Sequence, residues 1–119
     1  MKLHKTTDEQ YRYFRDCVRE YLEEFRIDDW AVQFEFGESS GSNATCTINI
    51  DARIVTFLLA TRIRYTENSE IKDLALHEVC HLLLSDVTVL IGRRFITDNQ
   101  IEQACESVAR KVQSLLRKR

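Results

Sequence analysis

Apolar and polar positions change rhythm several times along the chain, and each rhythm predicts an element. Tyr11, Phe14, Cys17 or Val18, Tyr21, Leu22 and Phe25 recur at helical spacing between Asp8 and Phe25. That is one apolar stripe on an amphipathic helix. Thr7 followed by Gln10 supplies the capping-box signature at its start. From Trp30 to Phe36 the period drops to two, with Trp30, Val32, Phe34 and Phe36 alternating against polar or small residues, which predicts a half-buried strand. The Gly- and Ser-rich stretch from Gly37 to Asn43 reads as a hairpin loop. Strand-like text resumes at Thr45 to Ile50, turns near Asp51 and Ala52, and continues from Ile54 to Leu59, extending as far as Tyr65. The short connections predict an antiparallel sheet of about three strands.

Two helices follow. One starts near Ser69, with Ser69 or Asn68 as cap, and runs to about Ser85. Ile71, Leu74, Ala75, Leu76, Val79, Cys80, Leu82, Leu83 and Leu84 make it apolar nearly all round, the mark of a helix buried on most sides. The other runs from Thr97 to about Leu116, where Thr97 and Gln100 repeat the capping box and Ile101, Ala104, Cys105, Val108, Val112 and Leu115 form the stripe. The order helix, three strands, helix, helix predicts an α+β fold.

Composition narrows the setting. A chain of 119 residues suits one domain with a real core, so residues 1–119 are expected to form a single unit. A formal net charge of −2 gives no general attraction to nucleic acid or membranes. Arg110, Lys111, Arg117, Lys118 and Arg119 concentrate positive charge near the end, as suits a helix C-terminus; a DNA-associated role would rest on that tail alone. No apolar run reaches membrane-spanning length. The start of the chain shows no secretory pattern, which leads us to expect the cytoplasm. Cys17, Cys46, Cys80 and Cys105 form no CxxC pair. They are expected to be reduced thiols packed as small apolar side chains, with Cys80 pointing away from its neighbouring histidines.

The chemistry is concentrated in the central helix, which carries His77-Glu78-Val79-Cys80-His81, an HExxH pattern. Residues four apart lie on one helical face, so both imidazoles can reach one ion, with Glu78 beside it as a general base. Two neutral imidazoles and a carboxylate suit zinc. Two of the chain's three histidines fall in this motif, inside an apolar helix where burying them without partners is costly. A third ligand is needed. No histidine follows His81, and no cysteine has paired spacing. A carboxylate from the last helix remains, with Glu102 and Glu106 as candidates.

The stretch Leu74-Ala-Leu-His-Glu-Val-Cys-His-Leu-Leu-Leu84 resembles the active-site helix of small phage and prophage zinc metallopeptidase-like proteins. These are minimal glutamate zincins, more distantly similar to ImmA/IrrE-type and SprT-like proteases. The resemblance implies a minimal zincin-like domain, host-cell cytoplasm if the chain is phage-encoded, and an edge strand along the cleft that holds substrate as an added strand. It also implies Glu106 as third ligand, from the match of Glu106 to Leu116 with the family's last helix, and Glu102 as the fallback. The function so implied is hydrolysis of a protein or peptide substrate by a zinc-bound water, with Glu78 as base. Tyr65, Arg93, Arg94 and His4 are available as partners for the oxyanion, and none carries a distinguishing signal. The alternative is a zinc-stabilised binding or adaptor domain with little hydrolysis; Glu78 argues against it, since a structural zinc has no use for that carboxylate.

Overall fold

The computed structural model describes residues 3–39, 41–64, 67–91 and 96–117. After a two-residue strand β1 (His4–Lys5), helix α1 (Asp8–Glu24) begins where the sequence predicts. Thr7 Oγ1 accepts from Gln10 N at 3.1 Å, and Thr7 N donates to Gln10 Oε1 at 2.9 Å, so two otherwise orphaned N–H groups are satisfied reciprocally. At the other end Arg26 adopts φ 56°, Arg26 N donates to Glu23 O and Ile27 N to Leu22 O. This is a Schellman stop, closed by the buried pair Leu22 and Ile27. A left-handed arginine costs about 1 kcal/mol against glycine, which the two bonds and that contact offset.

Strands β2 (Ala31–Gly37), β3 (Ala44–Asn49) and β4 (Ile54–Ala60) form one sheet in the order β2-β4-β3. The turn at 50–53 joins β3 and β4 as the expected antiparallel hairpin, with Asn49 Oδ1 accepting from Ala52 N at 3.1 Å. The other pairing departs from expectation. The segment after Gly37 is no hairpin loop: it crosses the end of β4, so β2 pairs with β4 in parallel, Val32 beside Val55 and Phe34 beside Phe57. The reason lies in β4 itself. Its sequence Ile-Val-Thr-Phe-Leu-Leu-Ala is nearly continuously apolar, the composition of a strand flanked on both edges, whereas β2 and β3 alternate. The sheet is therefore mixed, and β3 becomes an edge.

Past Thr61 the chain forms β5 (Arg62–Ile63), which pairs antiparallel with β1 as a separate ribbon rather than prolonging β4. Thr6, buried, fixes the junction by donating from its hydroxyl to Ala60 O at 2.6 Å.

Helix α2 (Asn68–Leu83) starts earlier than expected. Glu67 is its cap and makes no side-chain capping bond, so Asn68 and Ser69 lie inside the first turn. It packs along α1, and Ile71, Ala75, Val79 and Leu82 meet Phe14 and Val18 in a core completed by Val55, Phe57, Leu59 and Ile63. Each such large side chain, fully buried, contributes roughly 1.5–3 kcal/mol. The chain then bends at Leu84, whose carbonyl accepts from Val87 N, Thr88 N and Thr88 Oγ1. A short helix α3 (Ser85–Ile91) follows, an element additional to the two helices that the sequence predicts after the sheet.

Helix α4 (Asp98–Arg117) carries the expected box, Gln100 N to Thr97 Oγ1 at 3.1 Å and Thr97 N to Gln100 Oε1 at 3.0 Å. It packs on α3 through Ala104, which is buried, and through Ser107 and Lys111, both directed at Asp86. Only part of its apolar stripe is covered, since Ile101 and Val112 remain exposed. The class is α+β, with four helices and a small mixed sheet among the described residues. Among these residues no helix is long and apolar enough to cross a membrane.

Candidate metal centre

The helical repeat of α2 divides the motif between two environments. His77 and His81 are exposed on one face, one turn apart, while Glu78 beside them is only 5% exposed. The two imidazole rings meet nearly edge to face at 88°, with centroids 4.9 Å apart. Their Nε2 atoms stand 3.3 Å apart. Two nitrogens bound tetrahedrally to one zinc at about 2.05 Å are separated by about 3.3 Å, the edge of that tetrahedron. The two ring nitrogens are in direct hydrogen-bond contact, and that distance is also the one a shared ion would need.

A cleft of about 490 Å³ opens on these residues. One wall is the edge strand β3 and the turn after it, through Ala44, Cys46, Ile48 and Ile50. The opposite side is formed by His77, Glu78 and His81 with Ser85, Thr88 and Val89 of α3. An edge strand does lie along the cleft, as the resemblance implied.

Burial pushes the Glu78 carboxyl above the ordinary carboxylate range, against the opposing influence of His77 and His81. A carboxylate held this way binds a proton more readily than one in water, which is what a general base requires.

Cys46, expected only as a small packed thiol, also lines the cleft. Its thiol faces the cleft, and burial, reinforced by the charge of Glu78, pushes it up to about 12. It sits on the helix-facing side of β3, level with Phe57 of β4. Only the strand order puts it opposite Glu78, so no local signal marks it. Cys80, half-buried, does not line this cleft, as expected from its position on the helix.

Glu102 and Glu106 are both exposed on α4. At about 100° per residue, each lies some 160° round the helix from Ala104, the residue that anchors α4. The structure brings His77, His81 and Glu78 together and does not bring either α4 carboxylate to them. Among the described residues no three His, Cys, Asp or Glu side chains converge to hold an ion. His4 lies in the β1–β5 ribbon, paired with Ile63, and is not among the residues lining the cleft. Tyr65, Arg93 and Arg94 fall outside the described residues.

No protein-family model matches the chain, and no curated protein sequence matches it. Among solved structures it is similar to the crystal structure of the metallopeptidase zymogen of Methanocaldococcus jannaschii jannalysin. The identity is 14%, the similarity covers 94% of this chain and 97% of that one, and the TM-score is 0.48.

Proposed function

We propose that the protein is a zinc-dependent metallopeptidase in which His77 and His81 hold the metal and Glu78 is the general base. The observation that carries this reading is the 3.3 Å separation of the two Nε2 atoms beside a buried carboxylate on the same cleft. A purely structural zinc would be served by the histidines and would gain nothing from Glu78, whose burial is costly unless it is used.

When bound, zinc supplies Lewis acidity, polarising a carbonyl and making water easier to deprotonate. The chain's own residues do the rest. The outer edge of β3 offers unpaired backbone groups along the cleft, to which an extended peptide adds as a further strand. Glu78 takes a proton from the attacking water and passes it to the departing amine, while the apolar wall of Ala44, Ile48 and Ile50 limits competing water.

The third ligand in this proposal is Glu106, with Glu102 as the alternative. Both stand on the outer side of α4, so completing the ligand set requires that helix to re-seat on α3. The contacts it must loosen are Ala104, Val108 against the core, and the Ser107 and Lys111 contacts with Asp86.

The test is metal content by mass spectrometry for the zinc-incubated and dialysed wild type and for Glu106→Ala and Glu102→Ala. One zinc per chain in the wild type, lost in Glu106→Ala and retained in Glu102→Ala, is the expected result. Loss in Glu102→Ala alone reverses the ligand choice, and a wild type without stoichiometric zinc ends the proposal.

A further inference from the structure

The cleft does not stop at β3. At Ser42 it meets a second crevice of about 540 Å³, lined by Leu3, Glu38, Asn43, Arg62 and Arg64 among others; Ser42 borders both. One side of this crevice is the segment between β2 and β3, and the other is the stretch from Ala60 to Arg64 that contains β5. Period-two alternation buries Ile63 completely and turns Arg62 and Arg64 to the same outer side. Asn43 holds the ribbon in place, its Oδ1 accepting from Arg64 N at 3.1 Å.

The charge arrangement is unusual for a chain of net charge −2. Lys5 stands directly opposite Arg62 in the antiparallel register, and like charges so placed repel. Neither guanidinium has an ion-pair partner among the described residues, although Glu38 borders the same crevice. Arg62 and Arg64, with Lys5 paired beside Arg62, set three cations against one lining carboxylate, Glu38, an excess of positive charge that favours a further anion.

We propose that this crevice is a specificity subsite of the histidine cleft, taking the side-chain carboxylate of an Asp or Glu in a peptide laid along β3. The inference rests on the reading of that cleft as a peptide-binding site. Cys46 of β3 lies opposite Glu78, and Ser42 lies four residues earlier in the chain. A peptide added to the strand residue for residue therefore places its acidic side chain about three to five positions from the bond over the histidines, at about 3.3 Å per residue. Arg62 and Arg64 position the peptide and touch no reacting atom.

Binding and cleavage separate this inference from the one beneath it. The binding arm uses zinc-incubated full-length Glu78→Gln protein and fluorescein-labelled, C-terminally amidated decapeptide pools that carry either one Glu or one Gln. Fluorescence anisotropy is expected to show the Glu pool binding about tenfold tighter. In the Arg62→Gln/Arg64→Gln background the ratio falls to about one with unchanged circular dichroism, whereas Arg62→Lys/Arg64→Lys keeps most of the preference. A ratio near one before the arginines are replaced, or one that survives their replacement, overturns the subsite. So does an equal gain from a peptide lacking Glu but carrying a free C-terminal carboxylate, or arginine-dependent binding of oligo-dT tighter than that of the Glu pool. Absence of cleavage by the wild type with the ratio intact removes the peptidase reading and leaves the acidic-peptide site standing. Cleavage without any acidic preference does the reverse.

Discussion

His81 Nε2 stands 3.3 Å from His77 Nε2, one helical turn along α2, which is the separation of two imidazoles that share one tetrahedral ion. Because the pair is set by a helix rather than a loop, zinc binding should stabilise the fold directly. At a free zinc concentration about a hundred times the Kd, linkage contributes about 2.7 kcal/mol, or a rise in Tm of about 10 °C for a chain of this size. Thermal unfolding followed by circular dichroism, with and without zinc, reads this. The rise should vanish in a His77→Ala/His81→Ala double variant; an undiminished rise there would place the metal elsewhere.

Glu78 should destabilise the protein when metal is removed. Its folded pKa lies above its unfolded value because burial disfavours the charged form. Folding is then favoured by protonation, fully so below the ordinary glutamate range, and that contribution is lost as pH rises through the raised folded value. In EDTA, Glu78→Gln should therefore melt on the order of 4 °C above the wild type at pH 7, with the gap closing toward pH 4. A variant that melts below the wild type at both pH values would contradict the burial argument.

The Cys46 thiol, pushed up to about 12, remains protonated at any working pH. Because the thiolate is the nucleophile, iodoacetamide at pH 8 should label the exposed Cys105 well before Cys46. Peptide mapping after a short pulse reads the order. Faster labelling of Cys46 would mean that the cleft is more open or more positive than its lining indicates.

Asp86 joins three elements, with Arg53 Nη1 at 3.7 Å, Lys111 Nζ at 3.8 Å and the Ser107 hydroxyl at 3.3 Å. These are partly exposed charges, so Asp86→Ala should cost only about 0.5–1 kcal/mol overall. Its local effect should be larger in proportion. Amide exchange in the α4 segment around Ser107 should quicken about threefold to fivefold, since 1 kcal/mol corresponds to about a factor of five. Unchanged exchange there would show that Ala104 and Val108 alone hold α4.

The features written locally in the chain were legible in it. Thr7 with Gln10 and Thr97 with Gln100 name two helix starts, and the apolar repeat of α1 names its buried face, because each depends on neighbours within one turn. The His77–Glu78–His81 grouping was legible for the same reason. What the sequence obscured depends on long-range choices. The unbroken apolar run of β4 marked a central strand, yet the short segment after Gly37 suggested a hairpin, and chain proximity was the weaker signal. The bend at Leu84 was hidden because the apolar text continues through it. Cys46 and the Arg62–Arg64 pair gain meaning only from the strand order and the ribbon. Glu102 and Glu106 share α4 with Ala104, and the burial of Ala104 leaves both carboxylates on the exposed side of that helix, a placement that only the packing of α4 decides.

In the proposed mechanism, hydrolysis itself depends on Glu78 beside a bound zinc. Zinc-loaded wild type and Glu78→Gln, matched for metal content, are incubated with a proteome-derived peptide library, and new termini are counted by mass spectrometry. One zinc in each protein, cleavage by the wild type, and a loss of at least about a hundredfold in Glu78→Gln, the scale of a general base, are expected. Equal cleavage by both proteins, or none by a fully zinc-loaded wild type, would contradict that expectation.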